Sequence, residues 1–359
     1  MRPEKKKGTL SYDSENQEKF TEKTRYVITS AQSKAPQHKN FMRGLEHFVK
    51  EFDAELVILP MIGKSAKEDW DDIDPAFYEH DVEFSKRKLN NNIQLQQFHV
   101  RPYQIDPITG LSRFAQRETT QIFASPKQRL RSIPHSVTKL PKFLATTGAC
   151  TKPNYATGND VSAERRRLGS IAKRDHVYGA MIVEIEDAER FYMRNIRADK
   201  GGKFVDLGNK YDGSDIEGSQ LESIVFGDWH PGYTDPKVRD GNFDMIDALE
   251  PRSIMLHDFF DGHSINHHRK GHLITQELIE GVDRGFHSLD SELEQDYKEL
   301  CEIADAAGES KVYIVASNHN EFLDRYLDEG RFVKDPINAR MAFRLAEALS
   351  YGKNPVEEG

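Results

Sequence analysis

Three short segments in the last third of the sequence concentrate residue types that hold metal ions. They read Gly227-Asp228-Trp229-His230, His257-Asp258-Phe259-Phe260-Asp261-Gly262 and Ser317-Asn318-His319-Asn320-Glu321. Carboxylate and amide oxygens beside imidazole nitrogens suit Mn, Mg, Fe or Zn rather than a thiolate-loving ion. Two such ions about 3.5–4 Å apart can activate a hydroxide and stabilise the leaving oxygen of an in-line phosphoryl displacement. That chemistry needs a carboxylate bridging both ions, and Asp258 is the candidate. Asp228 and His230 would hold the first ion, and Asn318 would give its amide oxygen to the second. His319, one residue past a ligand, would face the substrate and stabilise the transition state or protonate the leaving group. Asp261 or Glu321 would orient that imidazole.

Each segment follows an apolar run that reads as a strand: 223–226, 253–256 and 311–316. Helix-like patterns cover residues 237–249, 272–284, 289–308, 321–329 and 336–350. Alternating strands and helices predict a largely parallel sheet. The carboxyl ends of its strands would deliver all three segments to one edge. Asp-x-His alone is a weak signal, whereas the ordered set, each member after a strand, is a specific one.

Upstream, residues 25–30 and 55–60 read as strands around a helix at 37–52, a βαβ unit. Ser30-Ala-Gln-Ser-Lys34 is no glycine-rich phosphate loop, so no nucleotide site is assigned there. Residues 76–150 read as short strands and loops, and 151–174 as a long loop with a short helix. Residues 177–185 form another strand. The polar stretch 206–219 reads as a break. The chain therefore divides into a flexible arm (1–23), an α/β region (24–215) and a C-terminal α/β domain (216–359).

With 37% hydrophobic and 30% charged residues, the composition is that of a water-soluble globular chain. Met1–Lys7 lacks the apolar core of a secretory signal. The two cysteines, Cys150 and Cys301, fit no zinc or disulfide spacing, which excludes a zinc finger and points to a reduced, cytoplasmic compartment. No Gly-x-Ser-x-Gly elbow appears, which excludes that serine-hydrolase type. The net charge of -9 is unevenly spread: residues 101–200 carry 18 basic and 10 acidic side chains, residues 201–359 carry 16 and 32. The basic middle could meet a polyanion. Its candidates for DNA phosphate contact are Lys127, Arg129, Arg131, Lys139, Lys142, Arg165, Arg166 and Arg167.

The ordered series resembles the calcineurin-like metallophosphoesterase superfamily, with its Asp-x-His, Gly-Asp-x-x-Asp and Gly-Asn-His-Asp/Glu motifs, over about residues 221–330. The resemblance implies an αββα sandwich for the C-terminal part and two divalent ions, Mn or Mg. Three positions depart from the pattern: His257 and Ser317 stand where glycines are usual, and Asn320 where an acid is usual. The superfamily also adds a later histidine and a Gly-His-x-His motif, but no histidine follows His319. The domain is therefore expected to be C-terminally incomplete, or to draw ligands or substrate contacts from His257, His263, His267, His268 or His272. Within the superfamily the chain looks most like phage-encoded early nucleases that attack host DNA, on the residues 257–268, 317–331 and 142–155. That implies a DNA phosphodiesterase using Mn or Mg, expected in the host cytoplasm with no membrane partner. Because an uncontrolled nuclease would harm its own genome, assembly into a homo-oligomer is expected as a gate. The rival readings are a phosphatase for a small or protein substrate, and a non-catalytic binding protein with a degenerate metal site.

Overall fold

The computed structural model describes residues 24–61, 72–117, 119–134, 141–266 and 288–353. The expected arm 1–23 and the helix expected at 272–284 lie outside them, as do Lys139, His267, His268 and His272. The chain separates into two units, residues 1–219 and 220–359. The boundary falls four residues beyond the expected one, because the polar stretch before it belongs to the first unit.

The first unit begins with β1 (Arg25–Gln32), a helix (Lys39–Glu51) and β2 (Glu55–Met61), and β1 and β2 pair in parallel. Phe41, Leu45 and Phe48 recur at helical spacing and are fully buried, in one cluster with Val27, Ala31 and Ile58 of the strands. His38 caps the helix by accepting the Phe41 N–H at 3.2 Å. β3 (Asp81–Val82) extends the sheet beside β2, and β9 (Gly179–Ile185) and β10 (Phe191–Arg197) extend it antiparallel beyond β1.

A second sheet runs in the order β4 (Arg87–Lys88), β5 (Ile93–Gln96), β6 (Thr120–Phe123), β8 (Lys142–Thr146) and β7 (Leu130–Ile133). The two sheets share one core: Tyr26, Ile28, Val57 and Leu59 from the first, Ile93, Leu95, Ile122 and Ala145 from the second. Residues 151–174, expected as mostly loop, contain a three-turn helix, Ala163–Arg174. Ser162 caps it through the Arg165 N–H, and Lys173 and Arg174 meet the negative end of its dipole. The stretch read as a break forms a small antiparallel meander, β11 (Phe204–Asp206), β12 (Asn209–Tyr211) and β13 (Ile216–Gly218). It orders because Phe204 and Tyr211 stack, with ring centroids 4.7 Å apart, and both are buried in the core around Phe41.

The second unit is built on three parallel strands, β14 (Ser223–Phe226), β15 (Ser253–His257) and β16 (Lys311–Val315), in that order. Ile224, Phe226, Ile254 and Leu256 alternate onto one face. They share a core with Ile246 of the helix Pro236–Leu249 and with Ile303 and Ala307 of the helix Leu289–Ala307. The opposite face exposes Val225 and Tyr313. The helices Asn320–Asp328 and Ala339–Ser350 form a second cluster around Phe322, Leu323, Tyr326 and Leu345. The α/β character matches expectation. Among the described residues of this unit, however, one three-stranded sheet is present, and packing of sheet on sheet occurs in the first unit.

Candidate metal centre

Because β14, β15 and β16 are parallel, their carboxyl ends lie along one edge. Residues 227–230, 258–262 and 316–319 leave the sheet there. The first two segments stay paired after the strands end: Trp229 N–H donates to the His257 carbonyl at 3.3 Å, and His230 N–H to the Asp258 carbonyl at 3.2 Å. His230 and Asp258 both adopt left-handed backbone, with φ of +41° and +45°. Such a conformation costs a residue with a side chain roughly 1–3 kcal/mol, and it persists only where the surroundings enforce it. Trp229, 2% exposed, anchors the loop: its indole packs edge-on against Phe226, and its Nε1–H donates to Glu299 at 3.1 Å.

The side chains assemble into two groups. One ligand atom from each of His230, Asp261 and His319 lies within 4.8 Å of the other two, and the same holds for Asp228, His257 and Asp258. All six come from the three predicted segments, but the division differs from the expected one. His230 sits with Asp261 and His319 instead of with Asp228, and His257 takes the place beside Asp228. In a continuing strand, Asp228 and His230 would share a face. The left-handed turn at His230 removes that relation.

Asp258 is 9% exposed, and its Oδ2 lies 2.9 Å from His257 Nδ1. Its Oδ1 is buried without a hydrogen-bond partner. Burial would raise the Asp258 pKa, but the Ser317 hydroxyl, the His257 imidazole and a hydrogen bond with the Asp228 side chain outweigh it and hold the carboxyl below its ordinary value. In the other group, His230 Nδ1 is likewise buried without a hydrogen-bond partner, 3.5 Å from Asp261 Oδ1. His319 Nδ1 is 2.7 Å from the Asp261 backbone carbonyl and 3.6 Å from Asp261 Oδ1. That contact assigns the proton to Nδ1 and leaves Nε2 with the free lone pair. The His230 and His319 rings lie 4.8 Å apart. His263 Nδ1 approaches Asp261 Oδ2 at 3.8 Å. Asn318 is exposed on the same edge.

A buried carboxylate with an unpaired oxygen and a buried imidazole nitrogen with no partner are the groups a divalent cation would satisfy. The donor set, three carboxylates and three imidazoles from three segments on one sheet edge, therefore fits the expected ions.

Behind the loops runs a row of acids that the sequence reading passed over: Glu292, Asp296 and Glu299, all buried on one face of the helix Leu289–Ala307. Glu292 accepts from the His263 N–H at 2.8 Å and from Ser264 through its N–H at 3.2 Å and its hydroxyl at 2.7 Å. It thereby fixes the loop after Asp261. Asp296 is pushed up to about 8 by burial and by the neighbouring charges of Glu292, Asp261 and Glu299. Glu299 takes the Trp229 indole N–H and the Arg239 guanidinium, at 3.1 and 2.7 Å. The readable signal was acids at the spacing of the helix's buried stripe, beside Leu289 and Ile303.

Several expected roles are corrected. Glu321 does not orient His319. It lies in the first turn of its helix and pairs with Arg325 one turn on, at 2.9 Å. Lys127 is 1% exposed and bound to Asp175 at 2.9 Å, so it braces the fold of the first unit and is closed to phosphate. Arg131 pairs with Asp106, and Lys142 donates to Asn92 at 2.7 Å. Arg166 is half-buried and donates to the Val161 carbonyl. Arg129, Arg165 and Arg167 remain exposed.

The chain is similar to Protein A1 of Escherichia phage T5, with 26% identity over 358 residues. The match covers 91% of this chain and 60% of that protein, so the chain spans about three fifths of the relative's length. No protein-family model matches the chain. No solved structure matches it. Among the described residues, no helix is long and apolar enough to cross a membrane.

Proposed function

We propose that the chain is a metal-dependent phosphodiesterase that cuts DNA, with its active site at the carboxyl edge of β14–β16. The observation that carries this reading is the buried, unpaired Oδ1 of Asp258, flanked by two groups of carboxylates and imidazoles. Asp228 and Asp258 would hold one divalent ion, and His230 with Asp261 would face the other. The exposed Asn318 would offer its amide oxygen between substrate and ion. When bound, Mn or Mg would polarise a phosphodiester and lower the pKa of water enough to make a nucleophile at neutral pH.

The chain's own residues do the rest. The two left-handed turns fix His230 and Asp258 at the strand ends, which keeps the reacting geometry from relaxing. His319, held at Nδ1 by the Asp261 carbonyl, has its Nε2 lone pair available to take a proton from water and, as the imidazolium, pass it to the leaving oxygen. Arg165 and Arg167, exposed on one helix of the first unit, supply positive charge suited to a nucleic-acid backbone without reading its sequence. The likeness to a phage protein supports a phage origin, and host DNA in the host cytoplasm is the substrate that the proposal assigns.

The test is Mn-dependent cleavage of supercoiled and linear DNA, with an aryl phosphate in parallel, by the parent, Asp258→Asn and His319→Ala. DNA cleavage that falls by at least about 100-fold in each variant supports the reading. Turnover of the aryl phosphate alone would favour a phosphatase. No turnover of either, with Mn still bound, would favour a binding protein.

A further inference from the structure

We propose that His257 is a ligand of the ion held by Asp228 and Asp258, so that this cation site has one nitrogen and two carboxylate donors. The proposal rests on the metal-dependent reading above and adds a residue to it. Consecutive strand residues point to opposite faces, so a histidine ending β15 should face away from the next side chain. The left-handed φ of +45° at Asp258 cancels that alternation. As a result His257 Nδ1 lies 2.9 Å from Asp258 Oδ2.

The surroundings favour a cation over a plain hydrogen bond. Asp228 brings a second carboxylate, with a ligand atom from each of the three residues within 4.8 Å of the other two. Two carboxylates so close need a proton shared between them or positive charge beside them, and a cation would supply the latter. The contact to His257 uses Oδ2 only, and Asp258 is 9% exposed with Oδ1 still unpaired. The His257 side chain is 44% exposed, so the group is reachable from solvent. An imidazole beside two carboxylates shifts preference from Mg toward Mn, since Mg favours all-oxygen shells with several waters.

The experiment is Mn titration of the full chain followed by electron paramagnetic resonance, with pulsed detection of nitrogen coupling to the bound ion. The parent should bind two Mn ions. His257→Gln should hold one of them at least about tenfold more weakly and lose part of the nitrogen coupling. His257→Asp, which offers an oxygen donor at the same place, should recover affinity without recovering the coupling. Circular dichroism and Trp229 fluorescence check that each variant is folded. Parent-like affinities and unchanged nitrogen coupling in His257→Gln would overturn the assignment and leave the metal-dependent reading standing. Absence of Mn binding by the parent would overturn both.

Discussion

Replacing Asp296 by asparagine keeps the shape of a buried side chain and removes its charge, and the consequence can be worked through. Asp296 sits on the helix Leu289–Ala307 between Glu292 and Glu299, and burial with these acids and Asp261 lifts it from 3.8 to about 8. The folded chain therefore keeps this carboxyl protonated over a range in which the unfolded chain ionises it. The stability it contributes is fully present below about pH 4 and is lost as pH rises toward 8. The slope is about 1.4 kcal/mol per pH unit. Between pH 5 and pH 7 the parent should lose about 3 kcal/mol relative to Asp296→Asn. Other titrating groups, including Glu292, which burial also raises, are common to both proteins and cancel in the comparison. The assay is urea unfolding in EDTA at several pH values, read from Trp229 fluorescence in a Trp70→Phe background. Trp229 reports locally, because its indole donates to Glu299 on the same helix. Parallel stability curves for parent and variant from pH 5 to pH 7 would refute the burial argument for Asp296.

Four further outcomes are expected. Glu292→Ala removes the acceptor of three hydrogen bonds to His263 and Ser264 and should cost about 3–5 kcal/mol in urea unfolding of the second unit. Asp261→Asn keeps the backbone carbonyl that holds His319 and should lower DNA cleavage by at least about tenfold by weakening the ion its carboxylate would face, whereas Glu321→Gln should leave cleavage within about twofold. Arg165→Gln with Arg167→Gln should weaken DNA binding and reduce the slope of log affinity against log salt by about 1 per lost phosphate contact. Lys127→Met should leave that slope unchanged and instead destabilise the first unit by about 1–3 kcal/mol, since Asp175 keeps Arg174 as a partner.

The parts of this molecule that the sequence made legible are those with a local period. Ser223–Phe226, Ser253–His257 and Lys311–Val315 announce themselves as apolar runs, and each is followed by ligand-type residues. Parallel pairing then forces those residues to one edge, so the six side chains of the metal groups could be named beforehand. What could not be named was which imidazole meets which carboxylate. That depends on left-handed φ at His230 and Asp258, a conformation that His and Asp adopt more often than most residues but still uncommonly, so residue type does not mark which position takes it. Lys127 reads as one of a basic series, because its partner Asp175 is 48 residues away and only the fold brings them together. The meander of residues 204–218 looked like a break because its second half is polar and its two decisive residues, Phe204 and Tyr211, are seven apart and meet only when the strands pair.

The acids of the helix Leu289–Ala307 carry the argument one step further. Glu292, Asp296 and Glu299 occupy positions that apolar residues would fill at lower cost, and Asp296 alone makes the chain less stable at neutral pH. Two of the three have identified work: Glu292 fixes the loop after Asp261, and Glu299 fixes Trp229 between Asp228 and His230. Each thus acts on a segment that bears members of both metal groups or borders them. A fold selected for stability alone would replace this row with leucines. Such a row is what the proposed site would need to hold two loops in strained backbone and keep its carboxylates close together.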